Sequence, residues 1–502
     1  MESIAVPVSL TLELRPDGAD IGSLERAISA GLAEVGRQLW AEVIGTLERR
    51  VAAPRGHAGC GGLLRANGRA PRRIVTLAGE VALQRQRFRC GACDTEILPL
   101  DAVLGLEPRM QHSLGVRERA LFLVTELSYA KTARTLDELR GLGVSHGQLH
   151  RWVAEEGGRI EADIAARTEA ILGAHPDRAS TAQRPGDVWV QADGTMVNDR
   201  RSGTHLEVKI GLVFTGTEPV GRDRRALLDR HLVGGTGSWT TFAERFTAAC
   251  AARGVYEAER ILFVSDGAAA IRWIRARSFP DAIELLDWYH LTEQLRFGVG
   301  RQHEAVLSTA LGAAMPGDVD TLLAILRAHA RTIAHDDPEQ ALRCRSVIGY
   351  VANNRRGIAN YRIVPLASSG PMEKAVDLTV CRRFKSRGMS WFRRGVSHLL
   401  HLKLLRLNGS WDRYWADRLG SARRPGSSAG DHRGEDPDVL VRAIGLSVPG
   451  LGDDVAGRID DLGANRALVL REREEVDVGV RGPELPGQEA GGAVLPIERG
   501  DQ

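Results

Sequence analysis

The chain has 502 residues, of which 43% are hydrophobic and 26% are charged, so it is long enough for two or three domains. No run is long and apolar enough for a membrane-spanning helix, and the first residues lack the basic start and apolar core of a signal peptide. We therefore expect a cytoplasmic protein. Six cysteines are too few for a disulfide scaffold, and a net charge of +3 does not argue against nucleic acid as a partner.

The N-terminal segment, residues 1–54, is predicted to be helical. Apolar residues at three- and four-residue steps predict one amphipathic helix from about residue 20 to residue 50. Two interpretations stay open, since the apolar face would either pack on its own domain or form a seam between two helices. The apolar positions are Ile21, Leu24, Ile28, Leu32, Val35, Leu39, Val43 and Leu47.

Residues 55–105 are predicted to form a small zinc-ribbon-like module. His57 and Cys60 form a His-x-x-Cys pair, and Cys90 and Cys93 form a Cys-x-x-Cys pair with the same gap. Four nitrogen and sulfur donors in two such pairs suit tetrahedral Zn²⁺. The alternative is a loop histidine beside an unrelated pair of cysteines.

The stretch between these pairs carries seven arginines and no lysine. Forked guanidinium groups bind phosphate well, so the pattern favours DNA binding over an ordinary solvated surface. The predicted DNA contacts are Arg69, Arg72, Arg73, Arg85 and Arg87.

Residues 106–175 are predicted to contain a helix-turn-helix. The run SYAKTARTLDEL is followed by the break GLGVS and then by HGQLHRWVAEEG, which together span residues 128–157. Gln148, His150 and Arg151 open the second helix, where polar side chains meet base edges in the major groove. A plain packing unit is the alternative, and the neighbouring basic module favours DNA.

From residue 186 the chain alternates strands and helices, which predicts an α/β unit with a mixed sheet over residues 186–415 and a helical insertion at about 295–360. Asp193 follows the strand VWVQ, Asp266 follows ILFVS, and each precedes a glycine. The two carboxylates are 266 − 193 = 73 residues apart and converge if their strands are neighbours. A single Asp-Gly pair would be typical of a turn.

Glu373 falls in the first turn of a helix predicted to run from about residue 372 to 407. The helix dipole alone would favour an acid there. Three carboxylates are also what two hard cations require, with positions left for phosphate oxygens. The basic residues that follow would hold a DNA strand, or would form a solvated face: Lys374, Arg382, Arg383 and Lys385.

The stretch from residue 187 to about residue 415 resembles bacterial insertion-sequence transposases of the DDE class, most closely the ISKra group. The motifs are QADGTMV with EVKIGLVF, ILFVSDGAAAI with LLDWYHLTEQL, and GPMEKAVD with RGMSWFR and LNGSWDRYW. With the N-terminal modules, the resemblance covers residues 55–415.

This resemblance implies an RNase H-like core in which Asp193, Asp266 and Glu373 hold Mg²⁺ or Mn²⁺. It implies cleavage and transfer of double-stranded DNA at terminal inverted repeats, by a homo-oligomer on DNA in the nucleoid. Asp287 and His290 resemble an accessory motif that positions groups near the metal. His57 stands where the family has cysteine, and residues 419–502, predicted to be a disordered tail, do not resemble the family.

Two other functions remain open. A DNA-binding relic or regulator would keep the N-terminal modules and lack cleavage, whereas a repair nuclease on the same fold would recognise DNA shape. The zinc-ribbon-like module and the helix-turn-helix favour readout of a sequence, and so a transposase.

Overall fold

The computed structural model describes residues 20–51, 53–173, 186–222, 224–364 and 369–421. The strands in these ranges are β1 (Leu64–Thr76), β2 (Gly79–Cys90), β3 (Glu96–Ile97), β4 (Asp187–Asn198), β5 (His205–Phe214), β6 (Gly216–Gly221), β7 (Arg224–Leu228), β8 (His231–Gly235), β9 (Arg260–Ser265) and β10 (Ile283–Leu286).

The first eight α-helices are α1 (Ile21–Arg50), α2 (Pro99–Leu104), α3 (Leu114–Val124), α4 (Tyr129–Arg140), α5 (His146–Gly173), α6 (Trp239–Ala252), α7 (Ala269–Ser278) and α8 (Trp288–Val299). They are followed by α9 (Glu304–Ala314), α10 (Val319–Thr332), α11 (Pro338–Asn353), α12 (Arg355–Ala359), α13 (Gly370–Val376), α14 (Arg382–Phe384), α15 (Arg393–Leu407) and α16 (Trp411–Ser421). Short 3₁₀ turns lie at Val255–Glu257 and Asn360–Arg362, and a π-helical segment at Asp377–Cys381 joins α13 to α14.

The N-terminal module is an antiparallel sheet in the order β1-β2-β3. Its small core packs Ile44 of α1 against Ile74, Val81 and Leu83 of the hairpin. The predicted long helix is confirmed as α1, and Asp20 caps its first turn by accepting a hydrogen bond from the Ser23 N–H at 2.6 Å. Among the described side chains of α1, however, only Ile44 is buried.

The central sheet is mixed and has five strands in the order β10-β9-β4-β5-β8. β4 pairs antiparallel with β5 and parallel with β9, so the strand that carries Asp193 lies in the middle. β5 pairs antiparallel with β8, and β9 pairs parallel with β10. Helices α6 and α7 pack on one face through Phe246 and Ile274, and α15 packs on the other through Leu400. The predicted mixed α/β architecture is confirmed.

Helices α3, α4 and α5 share one hydrophobic core with the central sheet and with α15 and α16. Leu149 and Trp152 of α5 belong to this core together with Ile210 of β5 and Leu400 of α15. The predicted DNA-binding segment, α4 and α5, therefore packs directly against the central sheet.

Helices α8 to α12 form a second core around Leu291, Leu322 and Val347, which confirms the predicted helical block between β10 and α13. No helix in the described ranges is long and apolar enough to cross a membrane.

The prediction of one helix over residues 372–407 is wrong. α14 ends at Phe384, Gly388 adopts a φ of +75°, and α15 begins at Arg393. Between these helices the Trp391 N–H donates to the Asn198 carbonyl at 2.9 Å, which returns the chain to the end of β4. Glycine tolerates the left-handed conformation that this reversal needs.

The range predicted to be a disordered tail begins within a helix, because α16 extends to Ser421. Residues 422–502 lie outside the described residues.

Candidate active site and metal centre

Strand register brings Asp193 and Asp266 to the same level of the sheet. β4 and β9 are parallel neighbours, and Gln191 pairs with Val264 at an offset of 264 − 191 = 73 residues. The two carboxylates have the same separation of 73 residues, so each lies two residues beyond that pair. The predicted convergence of these strands is confirmed.

The expected position of Asp193 at the end of its strand is wrong. Asp266 is the first residue after β9, as predicted, but Asp193 lies within β4 and pairs with Ile210 of β5. β4 continues because β5 extends further along it than β9 does.

Glu373 supplies the third carboxylate from the first turn of α13, as predicted. It lines one small open pocket with Asp193, Asp266 and His290. The pocket walls also include Ala192, Val264, Ser265, Ser369 and Met372. The structure therefore brings together the three carboxylates and the histidine that the sequence singled out.

Asp287 is fully buried behind this pocket and binds two separate segments. Its carboxylate caps α8 by accepting the His290 backbone N–H at 3.0 Å, and it also contacts Nδ1 of the His290 ring. Its other oxygen accepts the backbone N–H of Ser369, the residue before α13, at 2.8 Å. Asp287 thus connects the helix that carries His290 to the helix that carries Glu373.

Burial and charge shift the pKa values of these groups in different directions. Burial raises the pKa of Asp193, and the negative charges of Asp266 and Glu373 raise it further. The hydrogen bond to Asp287 raises the pKa of His290 to about 9, with help from the charges of Asp287, Asp266 and Glu373. Burial opposes ionisation of Asp287, but its bonds to the His290 ring and to the Ser369 N–H outweigh this and lower its pKa. Grouped carboxylates that repel one another suit a divalent cation.

The helical block and α7 both support the backbone around Asp266. The Tyr350 hydroxyl of α11 donates to the Asp266 carbonyl at 2.7 Å, and Arg272 of α7 donates to the Gly267 carbonyl at 2.7 Å. Gly267 has a φ of +84°, and a Cβ there would lie 2.7 Å from the buried Asn354 amide. Sequence reasoning missed Tyr350 and Asn354, because no local pattern connects them to a residue more than 80 positions earlier.

Lys385, the residue after α14, contacts β4 near Asp193. Lys385 donates through Nζ to the Thr195 hydroxyl at 2.5 Å, two residues beyond Asp193. Lys374 and Arg382 both pair with Asp377, at 3.7 Å and 2.9 Å. Of the basic residues predicted to follow Glu373, Lys385 thus reaches the strand that carries a candidate ligand.

The prediction that Arg383 contacts DNA needs correction, because its side chain is buried. Its Nε donates to the Val124 carbonyl at 2.8 Å, and the guanidinium lies 5.5 Å from the Tyr129 ring and 5.0 Å from the Trp391 ring. Arg383 therefore joins the helical segment to the central core.

The predicted helix-turn-helix residues lie at the start of α5. Leu149 and Trp152 point into the core, whereas His150 and Arg151 are exposed and Gln148 is half-buried. The His150 ring stacks on Tyr129 at 3.7 Å, and Arg151 donates to the Gln148 side chain at 2.9 Å. The polar residues thus occupy the outer side of the helix.

His57, Cys60, Cys90 and Cys93 form one cluster in which the four candidate ligand atoms lie within 4.8 Å of one another. Cys60 Sγ lies 3.3 Å from His57 Nδ1, 3.5 Å from Cys90 Sγ and 3.3 Å from Cys93 Sγ. Ligands around tetrahedral zinc are about 3.5–3.8 Å apart, so the cluster can hold such an ion after a slight expansion. Hydrogen bonds from Thr95 and from Cys60 lower the pKa of Cys93 to about 6, which favours the metal-binding thiolate.

Both ligand pairs are built on similar turns. Gly61 follows the first pair with a φ of +69°, and Asp94 follows the second with a φ of +60°. The Gly61 N–H donates to the His57 carbonyl at 2.8 Å, and the Asp94 N–H donates to the Cys90 carbonyl at 3.1 Å. A Cβ on Gly62 would lie 2.7 Å from Cys90 Sγ, so only glycine fits beside the cluster.

The arginines of this module divide between two faces, and two of the predicted DNA contacts need correction. Arg85 is buried and pairs with Asp101, and the largely covered Arg72 donates to the Glu107 and Met110 carbonyls. Arg69 and Arg73 lie on the opposite face with exposed side chains. Arg87 is half-buried and donates to the Asn67 carbonyl at 2.9 Å.

Comparison with known proteins identifies relatives without a described activity. A family model described as "Uncharacterised protein family (UPF0236)" matches residues 14–417. A protein of Streptococcus gallolyticus, described as "UPF0236 protein in vanSb 3'region", is 22% identical over 354 residues, which cover 68% of this chain and 74% of that protein.

We expect the purified chain to carry one Zn²⁺ held by the His57 cluster. Cys90→Ser should lose the ion, because the buried thiolate is one of four donors and a serine hydroxyl is a poor substitute. Metal analysis by mass spectrometry measures this directly. Cys344→Ser is the matched control, since that buried thiol lies in the helical block and only donates to the Leu326 carbonyl. Equal zinc content in wild type and Cys90→Ser would contradict the assignment.

The raised pKa of His290 predicts a pH-dependent stability without added divalent cations. An unfolded histidine has a pKa near 6.5 and the folded one about 9, so the stabilising protonation is complete below pH 6.5 and is lost as the pH rises to about 9. The difference in urea midpoint between wild type and His290→Gln should shrink over this interval. His335→Gln, at an exposed position, controls for the substitution itself. A difference that grows with pH would contradict the ion pair with Asp287.

Proposed function

Because the chain belongs to the uncharacterised protein family UPF0236, whose description names no activity, we propose its function from the site itself. The proposal is a DDE-type transposase of the ISKra group that cuts and joins DNA at the terminal inverted repeats of an insertion sequence. The observation that carries it is the convergence of Asp193, Asp266 and Glu373 on one pocket.

The sheet order supports an RNase H-like core. The first strand of the sheet in chain order, β4, lies at its centre. On one side β5 and β8 extend the sheet with antiparallel pairing, and on the other side β9 and β10 extend it with parallel pairing. The mixed sheet and the helical block inserted between β10 and α13 fit the core that the resemblance implies, and the β6–β7 hairpin is a further addition to the five strands.

The proposed cleavage chemistry depends on the metal ions that the three carboxylates can bind. Asp193, Asp266 and Glu373 would hold two divalent cations, Mg²⁺ or Mn²⁺, which supply activation of the attacking oxygen and stabilisation of the leaving oxygen. All three carboxylates line the same pocket, which is where such ions would lie.

Neighbouring residues would orient the substrate and the carboxylates. Lys385, which contacts Thr195 beside Asp193, would pair with a phosphate of the scissile strand. Asp287 acts as a positioning residue, since it touches His290 and Ser369 while its own carboxylate is buried.

Two surfaces would select the DNA. The exposed hairpin face with Arg69 and Arg73 suits phosphate contacts, and the outer side of α5 with His150 and Arg151 suits contacts in a groove. Because α5 packs in the same core as the central sheet, the DNA-binding side of α5 and the carboxylate pocket would keep fixed positions relative to each other.

We predict Mg²⁺- or Mn²⁺-dependent cleavage of DNA that borders the gene in its host chromosome. Asp193→Asn, Asp266→Asn and Glu373→Gln should each lower the rate more than about 100-fold, because loss of even an outer partner of a metal ligand costs 10–100-fold. Cleavage of end-labelled DNA measures the effect.

Asp320→Asn is the matched control, because this exposed carboxylate in the helical block pairs with Arg355 away from the pocket. Its rate should equal that of wild type. Sequence-specific binding without cutting by wild type, in either metal, would reject the enzyme and favour a DNA-binding relic.

DNA affinity should depend on the exposed face of the hairpin. Replacing both Arg69 and Arg73 by alanine should reduce the slope of log affinity against log salt by about 1.8, because each phosphate that is no longer neutralised accounts for about 0.9. Fluorescence anisotropy at several salt concentrations gives the slope. Arg331→Ala, in the helical block, is the control. An unchanged slope in the double variant would show that this face does not touch DNA.

A further inference from the structure

The segment that joins α14 to α15 lies along the end of β4, beyond the carboxylate pocket. The Asn198 side chain donates to the Met389 carbonyl at 3.2 Å, and the Trp391 N–H donates to the Asn198 carbonyl at 2.9 Å. Two residues further on, the Arg200 N–H donates to the Trp391 carbonyl at 2.9 Å. These bonds hold the next residue of the segment, Phe392, beside the turn that joins β4 to β5.

Phe392 is a large aromatic side chain on the surface of the protein. It is 57% exposed, and the Arg200 guanidinium lies 5.6 Å from the centre of its ring. Its neighbour Trp391 is only 8% exposed and donates through Nε1 to the Phe384 carbonyl at 3.0 Å. Packing in the core therefore explains Trp391 but does not explain Phe392. Unpaired bases of nucleic acids stack on exposed aromatic rings that have arginine beside them.

The surface around Phe392 is strongly basic. Residues 198–205 and 385–394 contain six lysine and arginine residues and one carboxylate, that of Asp199. This carboxylate is engaged in its own turn, because it accepts the Arg201 N–H at 3.0 Å and the Ser202 hydroxyl at 2.9 Å. The six basic residues are all exposed: Arg200, Arg201, Lys385, Arg387, Arg393 and Arg394.

Most of this positive charge is not neutralised by carboxylates of the same chain. In the described ranges four of the arginines form no ion pair: Arg200, Arg201, Arg387 and Arg394. Exposed arginines of the helical block do form such pairs, as Arg343 does with Glu339. The basic surface is therefore accessible to an external polyanion, and a row of separate cations matches the row of phosphates along a nucleic-acid strand.

We propose that this surface holds unpaired nucleotides of a DNA strand next to the carboxylate pocket, with one base stacked on Phe392 and phosphates on the arginines. Asp193 and Asn198 are 198 − 193 = 5 residues apart on β4. This separation is about 17 Å along a strand, or about five nucleotides at the spacing of duplex DNA.

The ring at Phe392 distinguishes single-stranded from double-stranded DNA. Bases inside a duplex are stacked on one another, so only bases released from pairing can reach such a ring. A strand cut in the pocket has an end from which bases can unpair. The identification of the strand as DNA rests on the proposed function, whereas the stacking on Phe392 is tested without any cleavage.

The test is the affinity of the full-length protein for a short fluorescein-labelled oligothymidine, measured by anisotropy without added Mg²⁺ or Mn²⁺. Phe392→Ala should weaken this binding about tenfold, because stacking of one base on an aromatic side chain accounts for about that much. Its affinity for duplex DNA should equal that of wild type. Phe392→Trp should bind the single strand as wild type does, since it keeps an aromatic ring.

Phe297→Ala is the matched control. Phe297 on α8 is 54% exposed, and the Arg343 guanidinium lies 5.6 Å from its ring, but that arginine is paired with Glu339. This variant should bind oligothymidine as wild type does. Circular dichroism and zinc content verify that each variant is folded.

Cross-linking of wild type gives a second readout that needs no substitution. An oligothymidine in which 5-iodouracil replaces thymine is irradiated on the protein, and the base links to an aromatic ring that it contacts. After trypsin digestion the link should lie on Phe392, in the peptide of residues 388–393.

Three results would overturn the proposal. They are equal affinity of Phe392→Ala and wild type for the single strand, an equal loss on duplex DNA, and cross-links found only outside residues 388–393. Neither measurement requires cleavage, so failure of the proposed catalysis would leave both readable. Intact metal-dependent cleavage together with any of the three results would reject this surface alone.

Discussion

A buried carboxylate, that of Asp287, is the constraint on which the arrangement of the candidate site depends. A charge removed from water is stable only when donors surround it, and Asp287 meets the His290 ring and the backbone N–H groups of His290 and Ser369. These bonds fix the start of α13 against the end of β10. The position of Glu373 relative to Asp266 therefore follows from a residue that need not touch the substrate.

Strand pairing and helix packing position the other two carboxylates of this pocket, those of Asp193 and Asp266. The parallel register of β4 and β9 sets Asp193 level with Asp266, and Tyr350 and Asn354 of the helical block support the loop that follows β9. Arg383 connects this region to α4 and α3 through Tyr129 and the Val124 carbonyl. The block and the helical segment are thus parts of one structure around the site.

Sequence patterns correctly predicted the site residues that stand in a recognisable local motif. Asp266 after an apolar strand, the two candidate ligand pairs of the N-terminal module and the helix α1 could all be predicted in this way. Sequence patterns failed where the role of a residue depended on which face of the sheet its side chain lies on. Arg72 and Arg73 are adjacent in β1 and point to opposite sides, so a count of arginines could not separate a buried ion pair from an exposed cation. The support that Tyr350 gives Asp266 depends on tertiary folding alone.

The central claim is that Asp193, Asp266 and Glu373 together bind divalent metal. The most direct measurement is a crystal of the protein grown with Mn²⁺, with anomalous scattering recorded at the manganese edge. Peaks between these three carboxylates are predicted, and they should be absent from an Asp266→Asn crystal prepared in the same way. Manganese bound elsewhere, with the pocket empty in wild type, would contradict the account.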